Sequence, residues 1–221
     1  MTPIEIYESF IIKANENAQT DNIAVDRARF CYLYNEASIR FVEWFADKKN
    51  DDDIRYLAPV LVSSTITKIT GNSKEQLAEL PNNYLDLSNV NAIASSECCT
   101  KVAMDTWEIK SDNENIIIND ADNEPSIEYR EVPFYIQDGK IKFLVNNFEI
   151  DEVELTYYKY PTKIELNDPD DPESTFKNPD TQLEFDDKAL NRIVSIAVTD
   201  YDLNTNNPKF QGDKSRVVSK F

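Results

Sequence analysis

Hydrophobic residues in this sequence follow two different periods in different parts of the chain. Near both ends they recur at steps of three and four residues, which is the spacing of one face of an α-helix. Between residues 57 and 164 the chain is instead rich in β-branched and aromatic residues, in short runs bounded by turn residues. This order predicts an α+β fold: an N-terminal two-helix segment and a late C-terminal helix form a helical bundle, with an antiparallel β-rich insertion between them and an extended C-terminal tail.

Two helices are predicted at the start of the chain. Thr2-Pro3-Ile4-Glu5 has the pattern of a capping box with proline at the first helical position. A second, longer helix is expected to open at Asp21 or Asp26 and to run to about Lys48. The apolar stripe of the first helix is expected to consist of Ile4, Tyr7, Ile11, Ala14 and Ala18.

The middle of the chain is predicted to be β-structure. After a polar break at residues 47–53, the Thr-rich segment 57–69 is expected to be extended. Asp138-Gly139 is typical of a two-residue hairpin turn, because both residues tolerate positive φ. Further strands are expected at 85–93, 100–110, 115–118, 127–137, 140–145 and 153–160.

The last regular element is predicted to be an amphipathic helix with Asp187 as its N-cap and an end near Asn204. Its apolar positions are Leu190, Ile193, Val194, Ala197, Val198 and Tyr201. Four regions follow from these assignments. Residues 1–56 and 186–206 form the helical bundle, 57–164 the β-rich domain, 165–185 an acidic loop, and 207–221 an extended basic tail.

The charge balance bears on the partners of the protein. Acidic residues outnumber basic ones by 41 to 23, and the formal net charge is -18. Such a field repels DNA phosphates and anionic membranes, so we expect neither specific nucleic-acid binding nor membrane association, although DNA could slide past such a surface. No stretch approaches the ~20 apolar residues of a transmembrane helix. The odd number of cysteines indicates a reducing compartment, so we expect the protein to be made in the cytoplasm.

Residues suited to catalysis are scarce. The sequence contains no histidine, which removes the commonest general base and transition-metal ligand. The pair Cys98-Cys99 lacks the spacing of a metal or redox motif and is interpreted as buried or partly buried structural thiols. Glycines are isolated, so no phosphate-binding loop is expected. We therefore predict a protein that is not an enzyme, with no cofactor and no metal site.

The second helix has an unusually wide apolar sector. Cys31, Tyr34, Ser38, Phe41 and Phe45 fall on one face, with Ala28, Tyr32, Ile39 and Val42 beside it. Such a helix is expected to be covered by a neighbouring subunit, or, in the alternative, by the other helices of the same chain. The basic tail is expected to dock on an acidic neighbour. The predicted interface residues are Tyr32, Ile39, Val42, Phe45, Lys209, Phe210, Lys214, Arg216, Lys220 and Phe221.

Three stretches carry a resemblance to a known family. They are residues 80–87 (LPNNYLDL) leading into a strand, residues 155–161 (LTYYKYP) ending the last strand, and the helix 187–204 followed by Asn207-Pro208. In this order of elements the chain resembles the head-to-tail connector and tail-adaptor ring proteins of tailed phages, including short-tailed and crAss-like phages. The acidic loop departs from the compact pattern of that family.

The resemblance implies a structural protein of the virion neck or tail. It implies a homo-oligomeric, twelvefold ring that connects the portal protein to other neck and tail proteins, with DNA passing through the lumen. A different class of protein remains as the alternative, a β-sandwich binding module for capsid decoration or carbohydrate binding. There Tyr157, Tyr158 and Tyr160 would stack on sugar rings, although strand alternation places part of this cluster in the core.

Overall fold

The computed structural model describes residues 1–18, 24–48, 54–118, 124–166 and 183–204. These residues form two compact units. The helical unit comprises described residues of Met1–Val60 and Tyr160–Phe221, and the β unit is Leu61–Lys159. The predicted α+β class, with helices at both ends of the chain and strands between them, is confirmed.

The helices are α1 (Pro3–Ala18), α2 (Arg27–Lys48), α3 (Glu114–Ile118) and α4 (Asp187–Asn204), and a 3-10 helix spans Arg55–Val60. The short α3 belongs to the β unit. The strands are β1 (Leu61–Ile66), β2 (Ile69–Gly71), β3 (Glu75–Glu79), β4 (Tyr84–Ser95), β5 (Val102–Glu108), β6 (Glu131–Gln137), β7 (Lys140–Leu144) and β8 (Glu149–Lys159).

The two N-terminal helices begin with side-chain caps. The backbone N–H of Thr2 donates to Glu5 Oε2 (2.8 Å), and the N–H of Glu5 donates to Thr2 Oγ1 (3.3 Å). The predicted capping box is therefore confirmed. Asp26 caps α2, because its Oδ1 accepts from the N–H of Arg29 at 2.7 Å.

Helix α4 is capped one residue earlier than expected. The N–H of Ala189 donates to Asp186 Oδ1 at 2.8 Å, so Asp186 is the N-cap and Asp187 is the first helical residue. Residues 186 and 187 are both aspartates, so the sequence alone does not show which of them caps the helix.

The core of the helical unit lies where α4 packs against both α1 and α2. The Phe10 ring of α1 is central to it, 5.2 Å from the ring of Phe30 on α2 and 5.9 Å from that of Tyr201 on α4. All of the predicted apolar positions of α4 are buried. The buried residues of α1 include Ile6, Phe10 and Ala14, so the predicted stripe was right at Ala14, wrong at the exposed Ile4, and missed Ile6 and Phe10. The predicted stripe residues Tyr7 and Ile11 are half-buried.

Most of the wide apolar sector of α2 is covered within the chain. The side chains of α2 described as buried are Phe30, Leu33, Tyr34, Ala37, Ser38, Phe41, Val42, Phe45 and Ala46. A single chain thus buries most of the face for which a neighbouring subunit was expected, because α4 supplies a second apolar surface of its own. Ala28 and Tyr32 of the predicted sector are exposed, and Cys31 and Ile39 are half-buried, so the alternative, in which the helices of one chain cover each other, describes only part of this sector.

The β unit contains an eight-stranded sheet in the order β1-β8-β4-β5-β6-β7-β3-β2. Neighbouring strands are antiparallel except β5 and β6, which run parallel, so the insertion is not purely antiparallel as expected. β2 and β3 also approach β8, so the sheet is curled. Its apolar core includes Val90, Phe134, Phe143, Val153 and Leu155.

The hairpin prediction at Asp138-Gly139 is confirmed. Gln137 of β6 pairs with Lys140 of β7, and the two turn residues have φ of 53° and 72°, as a type I′ turn requires. Two other local predictions were wrong, because residues 115–118 lie in helix α3 and residues 57–60, predicted to be extended, lie in the 3-10 helix Arg55–Val60. Strand β3 was not predicted.

Two predicted regions lie wholly or mostly outside the described residues. They are the acidic loop, of which 167–182 is not described, and the basic tail 207–221. In the part of the chain that the structure covers, no helix has both the length and the apolar character needed to cross a membrane.

Candidate functional site

The predicted interface residues of α2 differ in their accessibility. Tyr32 is 66 % exposed, and Ile39 is half-buried. Val42 and Phe45 are buried in the chain's own helical unit and offer no surface to a neighbour in this conformation. The predicted tail residues, Lys209, Phe210, Lys214, Arg216, Lys220 and Phe221, lie outside the described residues.

Helix α1 exposes two isoleucines that the sequence analysis did not place at a surface. Ile12 is 57 % exposed, and Ile4 is exposed two helical turns before it. Residues at this spacing lie on the same side of a helix, and the exposed Glu8 lies between them. The predicted stripe of α1 placed Ile4 in the core and left out Ile6 and Phe10, and the large apolar ring of Phe10 was the signal that could have corrected it.

Charged side chains fix α2 and α4 to each other. The guanidinium of Arg40 on α2 forms a two-pronged ion pair with the carboxylate of Asp200 on α4, with Nη1 2.9 Å from Oδ1 and Nη2 close to Oδ2. Arg29 of α2 lies over the Tyr201 ring, 5.0 Å from its centroid. The outer faces of both helices are therefore held in a fixed register by polar contacts.

The β unit contains a polar cavity of about 660 Å³ at one end of its sheet. The turn after β2, the end of β4 and the start of β8 meet there. Most of the side chains that line it carry hydroxyl, amide or carboxylate groups, and a few are apolar. The polar ones include Thr70, Asn72, Ser96, Glu97, Asn147 and Glu149. Gln76 also lines the cavity, and its Oε1 accepts a hydrogen bond from the N–H of Ile150 at 2.7 Å.

The turn that joins β4 to β5 carries the adjacent cysteines. Cys98 is exposed and Cys99 half-buried, so the interpretation of buried or partly buried thiols holds for Cys99 alone. Their Sγ atoms lie 2.9 Å apart, and Ser96 Oγ is 3.2 Å from Cys98 Sγ. Hydrogen bonds from Cys99 and then Ser96 lower the pKa of Cys98, whereas the same Cys98–Cys99 contact raises the pKa of Cys99.

The three tyrosines of the alternative reading do not form one exposed platform. Tyr157 is buried and donates its hydroxyl to Asn83 Oδ1 at 2.9 Å, and Tyr158 is buried as well. Tyr160 is 47 % exposed. The prediction that part of this cluster lies in the core is confirmed.

Among the residues that the structure describes, no group of three or more His, Cys, Asp or Glu side chains is placed to hold a metal ion. Comparison of the sequence with protein-family models gives no match, and comparison with curated proteins gives none either.

Proposed function

We propose that this protein is a structural adaptor of a phage head-to-tail junction, which assembles as a ring and connects the portal protein to tail components. The observation that carries the proposal is the construction of the helical unit. α1 and α2 from one end of the chain pack with α4 from the other, and the β unit is inserted between them in sequence. This is the order of elements on which the resemblance to connector proteins rests.

The burial of the α2 sector changes how such a ring would assemble. A protomer whose helices cover each other is complete alone, so its contacts with neighbours use small exposed groups rather than an open core. Among the described side chains, Tyr32, Ile4 and Ile12 are exposed large apolar groups of α1 and α2 that suit such contacts. We therefore expect a monomer in solution that forms a ring on the portal protein, where a preformed ring of sites raises its effective concentration.

The net charge of -18 supports a passage for DNA rather than a binding site for it. DNA that must slide through a lumen is held back by basic contacts, and acidic walls provide none. The basic tail 207–221 would then serve contacts with acidic protein surfaces, including those of neighbouring protomers.

The experiment mixes the purified full chain with the portal protein of the same phage and measures particle mass by mass photometry and shape by negative-stain imaging. We expect monomers alone and a ring-shaped complex with the portal. Tyr32→Ala should weaken this complex, whereas Tyr129→Ala, which removes a 78 % exposed tyrosine from the β unit, should not. A wild-type chain that ignores the portal protein would refute the proposal.

The polar cavity favours a second candidate function, a binding module for a small polar ligand such as a sugar. Its hydroxyl and amide lining suits hydrogen bonding to several ligand hydroxyls. A glycan-binding screen of the full chain tests it. Saturable binding would support this function, and its survival in Tyr160→Ala, which removes the exposed tyrosine of the 157–160 cluster, would exclude that ring as the binding site.

A further inference from the structure

Cys98 and Cys99 lie at the tip of a closed turn. The N–H of Ser96 donates to the carbonyl of Cys99 (2.7 Å), and the N–H of Cys99 donates to the carbonyl of Ser96 (3.3 Å). Ser95 Oγ accepts from the N–H of Lys101 at 2.9 Å, which fixes the backbone two residues after Cys99. The two thiols are therefore presented together by a fixed backbone, with their Sγ atoms 2.9 Å apart.

This geometry suits a bridging atom better than a direct sulfur–sulfur bond. Neighbouring Cα atoms joined by a trans peptide are about 3.8 Å apart, which is shorter than the roughly 4.4–6.8 Å found across disulfides. A direct bond would strain the turn. An atom inserted between the two sulfurs, with a sulfur–atom–sulfur angle close to a right angle, enlarges the ring that the two cysteines close. The peptide bond between them can then stay undisturbed.

We propose that Cys98 and Cys99 form a chelating dithiol site for thiophilic electrophiles that accept two sulfur ligands, with trivalent arsenicals as the chemical class. The structure supports this on three grounds: the proximity of the sulfurs, the exposure of Cys98, and the closed turn that holds both. The site is independent of the adaptor function.

The reaction with an arylarsine oxide balances without a redox partner. Two S–As bonds form, the arsenic–oxygen bond breaks, and the two thiol protons leave with that oxygen as one water. Arsenic remains trivalent, and neither sulfur is oxidised. The hydrogen bonds from Cys99 and Ser96 favour Cys98 as the first nucleophile, and Cys99 then closes the ring in an intramolecular step.

Phenylarsine oxide is the probe. Intact mass analysis of the full chain should show one phenylarsenic adduct formed with loss of one water, and peptide mapping should place it on Cys98 and Cys99. A 1,2-dithiol should remove the adduct, whereas a monothiol at the same total thiol concentration should not, because two bonds to one arsenic must break together.

Cys31→Ser is the matched control, since Cys31 is the third thiol of the chain and half-buried. It should leave the adduct unchanged. Cys99→Ser should weaken retention of the probe by about a hundredfold or more, because one thiolate cannot chelate. An adduct that maps to Cys31, or one that a monothiol strips from the wild-type chain, would overturn the proposal even if the serine variants fold poorly.

Discussion

The side-chain amide of Asn35 on α2 pairs with the backbone of Ile164 as a strand partner would. Its Nδ2 donates to the carbonyl of Ile164 at 3.2 Å, and its Oδ1 accepts from the N–H of Ile164 at 2.9 Å. Ile164 is fully buried in the segment between β8 and the acidic loop, where its backbone would otherwise lack these partners. One side chain therefore ties that segment to α2.

Asn35→Ala should lower the free energy of unfolding by about 1–3 kcal/mol, because it leaves a donor and an acceptor of Ile164 without their partners. Chemical denaturation measures the loss. Glu36→Ala, at the exposed next position of α2, is the control and should change stability by no more than about 0.5 kcal/mol. Equal effects of the two substitutions would show that the amide pairing contributes nothing.

Phe41→Ala should cost about 3–5 kcal/mol, since it removes a buried ring that contacts Phe45 (4.6 Å between centroids) and Phe185 (5.7 Å). Tyr32→Ala on the same helix should stay within about 0.5 kcal/mol of the wild-type chain, because the ring is mostly in solvent. Thermal or denaturant unfolding distinguishes them. A large loss from Tyr32→Ala would mean that the ring is part of the protomer core rather than available to a neighbour.

Among the described residues, Gly71 and Gly139 have positive φ, and they should respond differently to alanine. At Gly139 the new Cβ meets no atom within 4 Å, so Gly139→Ala should cost only the conformational penalty of about 1–2 kcal/mol. At Gly71 the Cβ would lie 2.2 Å from the carbonyl oxygen of Glu75, so Gly71→Ala should cost about 3 kcal/mol or more. Comparable denaturation midpoints for the two variants would contradict this reading of the β2–β3 turn.

Stability should fall at alkaline pH because of Tyr84. Burial, followed by the nearby carboxylates of Asp86 and Glu108, raises its pKa from 10.0 to about 12. Between these two pKa values the folded protein keeps the phenol proton of Tyr84 and the unfolded chain loses it. The contribution of Tyr84 to stability is therefore complete below pH 10 and is lost as the pH rises towards 12. Tyr84→Phe should reduce the alkaline loss in denaturation curves, and Tyr129→Phe, at an exposed position, should not.

Deletion of Gln211–Phe221 should leave folding intact and weaken ring formation on the portal, because a polar tail adds little to a core and its basic groups serve contacts with acidic surfaces. Circular dichroism reports the fold, and mass photometry with the portal protein reports assembly. Insoluble expression of the truncated chain would count against this role of the tail.

Local chemistry in the sequence was sufficient for some elements. Thr2 and Glu5 satisfy each other's backbone amides, and Asp138-Gly139 supplies two positive φ values, so both features depend only on neighbouring residues. The buried face of α4 was equally clear, because a single stripe of large apolar residues repeats over the whole helix.

Other features depend on contacts between distant segments. The polar strand β3 exists because it pairs with β2 and β7, which no local propensity in Glu75–Glu79 indicates. Ile116, Ile117 and Ile118 are β-branched yet helical, because tertiary context overrides a short run's preference. The cover of α2 was misjudged for the same reason, since α4 lies far along the chain. The cavity and the exposed thiol of Cys98 arise where separate turns meet, which spacing alone does not reveal.

The construction of the helical unit also has a consequence during synthesis. About 140 residues separate the end of α2 at Lys48 from the start of α4 at Asp187. At about 5–20 residues per second, the ribosome releases α1 and α2 on the order of ten seconds before the helix that seals them. Throughout that interval the apolar faces of α1 and α2 lack the cover of α4, so the nascent chain is at greatest risk of aggregation while the strands are being made.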